Sequence, residues 1–256
     1  MIILSPAKKL DFEPLNSSVD YTQSTFISKT DFLSKKLKSL RLSEIKSLMK
    51  ISDKLSKLNF DRIKNFTKKH SLENSKQAAY AFKGDTYVGL KFEDFDNKEI
   101  NYAQKNLRIL SGFYGVLKPL DLIQPYRLEM GTKIEKILEQ SLSSFWNPDV
   151  TENINSVIKK NESKYLFNLS SNEYFQSIDE SKIIKPIITP VFTKKENGHL
   201  KSIGMLAKKC RGAMARMIIK KEIKNCDDLK AFNQFGFKYE STAKKTNKMF
   251  FVKSNG

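Results

Sequence analysis

Residues 108–131 read Arg-Ile-Leu-Ser-Gly-Phe-Tyr-Gly-Val-Leu-Lys-Pro-Leu-Asp-Leu-Ile-Gln-Pro-Tyr-Arg-Leu-Glu-Met-Gly. Upstream, Ile100, Ala103, Leu107 and Leu110 fall on one helical face, so the spacing predicts a helix over 97–111 that stops at Gly112. Gly112-x-x-Gly115, Lys118-Pro119 and the rigid turn Gln124-Pro125-Tyr126-Arg127 follow in close order. Glycines at a helix end let one backbone approach another and leave N–H groups free to meet a phosphate. A helix, a short glycine turn and a basic segment make the layout of a helix-hairpin-helix, whose turn offers main-chain N–H groups to DNA phosphates without base preference. The turn Gly-Phe-Tyr-Gly is longer than the tight Gly-x-Gly of that motif, so the match is loose, and the local pattern alone favours a plain helix cap with core aromatics. Arg127 and Glu129 flank Leu128 and point the same way in an extended segment. Glu129 either holds the arginine for a phosphate or pairs with it structurally.

Working outward, the remaining elements interleave without a regular βαβ beat. Residues 2–4 predict a short buried strand ended by Ser5-Pro6. Residues 15–28 predict a loop. A helix from Thr30 or Asp31 carries Leu33, Leu37 and Leu40, and a second, capped by Ser43, carries Ile45, Leu48, Met49, Ser52 and Leu55. A third runs from Ser71 to Phe82, and Thr86–Leu90 reads as a strand. Thr132 to Leu142, the stretch after Thr151, and the basic segment 206–224 read as helices. Residues 164–169 read as a strand, Ile183–Phe192 as an edge strand because of Pro186 and Pro190, and Glu196-Asn197-Gly198 as a hairpin turn. Phe235–Glu240 and Met249–Lys253 close the chain as a final hairpin. The expectation is one α/β (α+β) domain over residues 1–256, a mixed sheet wrapped by helices.

Composition narrows the function. The 256 residues carry a net charge of +18, with 39% hydrophobic and 29% charged residues, which suits a globular protein with a real core. No apolar run approaches the roughly 20 residues of a membrane span, and Met1–Pro6 lacks the features of a secretory signal. Two cysteines, Cys210 and Cys226, make no disulfide framework, so a cytoplasmic setting is expected. With two histidines and no zinc spacing, no metal site and no cofactor are expected. Only six of the 46 basic residues are Arg, and four of those fall in two segments, at Arg108 and Arg127 and at Arg211 and Arg216. Arginine is the stronger phosphate partner because its planar fork donates two parallel bonds. In Lys208–Arg216 the small residues Gly212, Ala213 and Ala215 would let a partner come close, though such a run also makes an ordinary solvated face. Gly84-x4-Gly89 fails as a P-loop because Leu90 stands where lysine is needed, and no Gly-x-Ser-x-Gly elbow occurs. No catalytic residue is assigned.

Several blocks together resemble a known family. Ser5-Pro-Ala-Lys8 with Leu10-Asp11, Ile51-Ser-Asp-Lys-Leu55, Ala81-Phe-Lys-Gly-Asp85-x-Tyr87, Leu110-Ser-Gly-x-Tyr-Gly-Val-Leu-x-Pro-Leu-Asp121, Gln124–Gly131 and Ala207-Lys-Lys-x-Arg-Gly212 are similar to the bacterial peroxide stress protein YaaA family, in matching order from Met1 to about Phe251. The resemblance implies a single-domain fold with a basic cleft and a helix-hairpin-helix, carried over onto Leu110–Leu117. It also implies binding of duplex, bubbled and branched DNA, and a role under hydrogen peroxide tied to DNA repair and the limitation of free iron. The expected DNA contacts are Lys8, Lys83, Arg108, Gly112, Tyr114, Gly115, Lys118, Arg127, Lys208, Arg211 and Arg216 on one surface. No membrane and no obligate protein partner are expected. The rival reading is an enzyme acting on a small anionic or phosphorylated substrate in a basic pocket, and a third is an iron-handling protein.

Overall fold

The computed structural model describes residues 1–15, 19–196 and 199–253. The expected α/β class holds: one mixed sheet is wrapped by helices around one core that runs from Met1 to Phe251. The chain enters through strand β1 (Ile2–Leu4), fully buried, and the two-residue β2 (Lys9–Leu10). Helices α1 (Ile27–Lys38), α2 (Leu42–Met49) and α3 (Asp53–Asn65) follow. α1 starts before Thr30, whose hydroxyl bonds back to the Phe26 carbonyl, and it buries Leu33 and Leu37 as expected. The helix expected from Ser43 through Leu55 is two helices. Lys50 turns left-handed (φ 50°), and Ser52 caps α3 by accepting a bond from the Leu55 N–H. Leu55 consequently faces solvent.

The stretch 71–90 is more broken than its apolar spacing predicts. It forms β3 (Lys76–Gln77), the one-turn α4 (Ala78–Ala81), β4 (Phe82–Lys83) and α5 (Asp85–Leu90). Thr86–Leu90 is therefore helix, not strand. The reason is long-range: a Cβ on Gly89 would lie 2.0 Å from the Lys209 carbonyl oxygen, so this turn exists to dock on a distant helix.

The decisive correction falls on 97–117. Helix α6 (Asn97–Asn106) begins with a reciprocal cap between Asp96 and Glu99 but ends at Asn106. Leu107–Ser111 is strand β5, every residue buried, lying parallel to β1 with Leu107 opposite Ile2. An all-apolar run reads as a helix face until a central sheet position claims it. β6 (Gly115–Leu117) folds back antiparallel on β5, so residues 110–117 form a β-hairpin and not the expected helix-hairpin-helix. The helical hairpin of this chain is instead α2–Lys50–Ile51–Ser52–α3.

The rest follows as β7 (Leu122–Ile123), the one-turn α7 (Glu135–Leu138), α8 (Leu142–Lys160), β8 (Leu166–Leu169), α9 (Asn172–Phe175), β9 (Ile187–Glu196), β10 (His199–Ser202), α10 (Gly204–Lys220), β11 (Phe237–Ala243) and β12 (Lys248–Lys253). Thr151 lies inside α8, whose cap is Ser141, and its hydroxyl accepts the Asp179 N–H. The main sheet runs β11-β12-β9-β8-β1-β5-β6, with β10 also on β9. β9 is internal, not an edge. Its pairing with β8 stops at Ile188 although β8 runs on to Leu169, so Pro190 falls beyond that ladder and, among the described residues, pairs only with β12. The turn expected at Glu196-Asn197-Gly198 has residues 197 and 198 outside the described residues, while the strands flanking it pair with His199 opposite Glu196. Residues 16–18 of the expected 15–28 loop also lie outside them.

The α5–α10 contact is the tightest in the molecule that glycine governs. A Cβ on Gly212 would sit 1.7 Å from the Thr86 carbonyl oxygen, inside backbone that cannot yield. Gly212→Ala is expected to lower the unfolding free energy by about 3 kcal/mol or more. Gly204→Ala, whose methyl would meet nothing within 4 Å, should change it by less than about 0.5 kcal/mol. Urea titration of both variants checks the contrast.

Candidate anion-binding crevice

β1 pairs in parallel with β5 on one side and β8 on the other, so all three strands end on the same side of the sheet. In open α/β sheets such a switch point is where ligands bind. Here Ser5 leaves β1 and its Oγ accepts the Ser171 N–H at 2.9 Å, tying the loops after β1 and β8 together. Tyr87 donates to the Ser5 carbonyl at 3.1 Å from beneath. Beyond this anchor the chain delivers Lys8 to the surface.

The second wall is the segment 124–131, fixed by residues far away in sequence. The Gln124 side chain accepts the Thr67 N–H at 3.0 Å and donates to the Thr67 carbonyl at 3.0 Å, as a strand partner would. Its own N–H donates to the Tyr114 hydroxyl at 2.9 Å. Tyr114 in turn faces His70 Nε2 at 3.0 Å, and His70 Nδ1 faces the Lys68 carbonyl at 3.1 Å. A carbonyl only accepts, so Nδ1 carries the proton and Nε2 accepts from Tyr114. Further along, Tyr126 and Ser111 share a 2.7 Å bond. Gly112 lies so close to the Leu128 carbonyl that a Cβ would come within 2.4 Å. Trp146 closes the other side, donating to the Gly112 carbonyl at 2.9 Å and covering Gly115, which adopts φ 72°. The glycine pair thus serves close backbone approach, but the partner is protein backbone and a tryptophan ring. Gly112, Tyr114 and Gly115 are buried.

Between these walls opens a crevice of about 440 Å³, lined by Lys8, Lys50, Arg127 and Lys133 and by the carboxylates of Glu129 and Glu173. Lys50 comes from the turn between α2 and α3. Glu129 bridges two cations, with Lys8 Nζ at 2.6 Å on one oxygen and Arg127 Nη2 at 2.9 Å on the other. Glu173 accepts the Gly131 N–H at 3.0 Å and so pins the far lip. Arg62 of α3 stands close enough to Arg127 for the two charges to repel; burial first, and that repulsion second, lower its pKa. Four lining cations face two carboxylates, a local charge of +2, and Arg62 stands outside the lining.

The other expected contacts do not join them. Arg108 is buried, its pKa lowered to about 10 by burial, and it donates to the Gln104 and Leu107 carbonyls. Lys118 pairs with buried Asp121 at 3.4 Å, and Lys83 with Asp11 at 3.7 Å in a neighbouring crevice. Arg216 donates to the Leu90 and Lys91 carbonyls and pairs with Asp94. Lys208 is exposed and Arg211 half-buried on α10. Of the expected set, only Lys8 and Arg127 converge. Lys50, Arg62 and Lys133 were missed, although a signal existed: residues 31–70 hold twelve basic and four acidic side chains. Cys210 is buried, and burial pushes its thiol up to about 12 against the pull of Lys209, Lys253 and Arg211, so it is no reactive thiolate. Among the described residues no helix is long and apolar enough to cross a membrane.

The fold is a mixed α/β sheet with a crevice of net positive lining beyond its parallel strand ends. The model of the peroxide stress protein YaaA family matches residues 1–243. Two UPF0246 proteins of Aliivibrio fischeri, from strains MJ11 and ATCC 700601 / ES114, are each 46% identical over 247 residues, covering 95% of both chains. The chain belongs to the YaaA family of peroxide stress proteins.

Burial lowers the His70 pKa below its ordinary 6.5. The fold then favours the neutral ring, and this contribution to stability is complete above 6.5 and is lost as pH falls through the folded value. Between about pH 7.5 and about pH 5 the unfolding free energy should fall more steeply for the wild-type chain than for His70→Gln. Urea titrations at both pH values measure the difference.

Proposed function

We propose that this chain binds DNA by its phosphate backbone through the α2–α3 hairpin and the crevice beside it. The observation that carries the reading is the unmatched charge there, four lining cations against two carboxylates, with half-buried Arg62 near enough to Arg127 for their charges to repel. An anion over or between such cations relieves that repulsion. The hairpin extends the positive field, since residues 31–70 contribute a net +8 of the chain's +18. Contacts of this kind carry no base information, which fits duplex, bubbled or branched DNA alike. Within the peroxide stress family the reading makes the protein a cytoplasmic DNA-binding factor of the oxidative response, linked to repair and to limiting free iron.

The enzyme reading has the crevice's size and its two carboxylates in its favour. Both carboxylates are engaged as acceptors, Glu129 by Lys8 and Arg127 and Glu173 by the Gly131 N–H. Neither is poised to carry a proton to a substrate.

Gel-shift titrations at several salt concentrations test the proposal. Affinity should fall steeply with salt, and Lys50→Ala and Arg62→Ala should each reduce the log–log slope by about one unit. Lys98→Ala, at a surface ion pair with Glu222, should leave it unchanged. Equal slopes for all four proteins would remove the hairpin as the contact surface. Lys208→Ala and Arg211→Ala report in the same assay whether α10 contributes.

A further inference from the structure

The crevice already contains an anion of its own. The Glu129 carboxylate sits between Lys8 and Arg127 with one oxygen on each, the arrangement a bound oxyanion would take. That bridge leaves much unanswered. Arg127 Nε is buried and meets no acceptor. Among the described residues Lys50 and Lys133 line the same space without an ion pair, and the charge of Arg62 is near enough to Arg127 to repel it. A carboxylate has one charge and two oxygens. The site offers more charge and more donors than that.

Shape and charge together select the guest. A recess of about 440 Å³ is of the size that holds a small ligand, not a length of duplex. A phosphate inside a DNA strand is a diester with one negative charge and a chain leaving on both sides. A phosphomonoester carries about −1.5 to −2 at pH 7 and three free oxygens, and it projects from the end of whatever bears it. Arginine forks and lysines around a recess of this size answer the second group more fully than the first, which the hairpin outside it can meet.

We propose that the crevice is a phosphomonoester site, in which Lys8, Lys50, Arg127 and Lys133 take a terminal phosphate and Glu129 is the residue it displaces. The ligand is either the phosphorylated end of a DNA strand or a free mononucleotide, and only the first source rests on the nucleic-acid reading. Glu129 then sets selectivity. A weak monoanion gains little by replacing it, whereas a dianion with a third oxygen can also satisfy Arg127 Nε.

The full chain is titrated with inorganic phosphate, deoxyadenosine 5′-monophosphate and deoxyadenosine by calorimetry. In parallel it is titrated with one duplex bearing 5′-phosphate or 5′-hydroxyl ends and with a covalently closed circle of the same sequence. The monophosphate should bind and the nucleoside should not, and the 5′-phosphate duplex should bind about tenfold more tightly than the other two forms. Arg127→Ala should erase both differences while keeping a cooperative urea transition, and Glu129→Gln should bind the monophosphate several-fold more tightly, roughly fivefold. Monophosphate binding without an end effect assigns the site to free nucleotides. Monophosphate binding with no affinity for any DNA keeps the site and overturns the nucleic-acid reading instead. Indifference to the phosphate in both arms, or differences that survive in Arg127→Ala, overturns the proposal.

Discussion

The main chain of Gly112 lies against the Leu128 carbonyl with no room for a side chain, and the crevice depends on that contact. The β5–β6 turn is held from behind by Trp146, buried in the core and bonded to the Gly112 carbonyl. It therefore acts as a fixed floor. The segment 124–131 is laid across this floor, with Tyr126 bonded to Ser111 and Gln124 to Thr67. Because Thr67 follows α3 directly, the same segment locates the helical hairpin and sets Arg62 beside Arg127. One missing Cβ thus propagates through three hydrogen-bonded steps to the placement of two charges from different parts of the chain. Sites need such rigidity, since a displacement of about 1 Å in a charged group is enough to spoil recognition.

The cations of this protein fall into two populations with different physics. Arg108 is enclosed, gives its protons to carbonyls, and is helped by the nearby charge of Asp121. Asp121 itself is buried and raised in pKa by that burial, and it answers to Thr22 and Lys118. Arg216 finishes the end of α5 by binding its last carbonyls. These groups are satisfied by the fold and are not available to a ligand. Among the described residues Lys50, Lys133 and Arg62 have no carboxylate partner, and Lys8 and Arg127 share a single one. An excess that the fold does not neutralise is the mark of a group kept for something outside the chain.

The strand over 2–4, the basic helix after 204 and the closing hairpin were readable because each has a local pattern that its surroundings reinforce. The family blocks were readable too, and their segment 124–131 supplies one wall of the crevice. What misled was Leu107–Leu110. Its spacing satisfies a helix face, yet its place beside β1 is settled by residues a hundred positions away. The same holds for Thr86–Leu90, whose β-branched and aromatic character was overridden by the docking of Gly89 and Gly212. The site itself was half visible. Lys8 and Arg127 stand in distinctive motifs, but Lys50 and Arg62 lie among many similar lysines and arginines. Only the bond from Gln124 to Thr67 tells which of those face the crevice.

A second crevice shows why position within a basic chain matters more than total charge. It lies across the 8–13 segment from the first, with about 720 Å³ lined by Asp11, Glu13, Asp85 and Glu93 against only Lys9 and Lys83. Its local charge is −2, on a protein whose net charge is +18. Lys8 and Lys9, adjacent in sequence, therefore line crevices of opposite sign. Through β2 and β4, this segment sets a border between them. A polyanion near the surface is drawn to the +2 side and repelled from the −2 side within a Debye length of about 8–10 Å. In the proposed DNA-binding mode a phosphate chain would then run along the α2–α3 hairpin and away from α5. The acidic wall would act on orientation as the cations act on affinity, because like-charge contacts penalise other ways of docking.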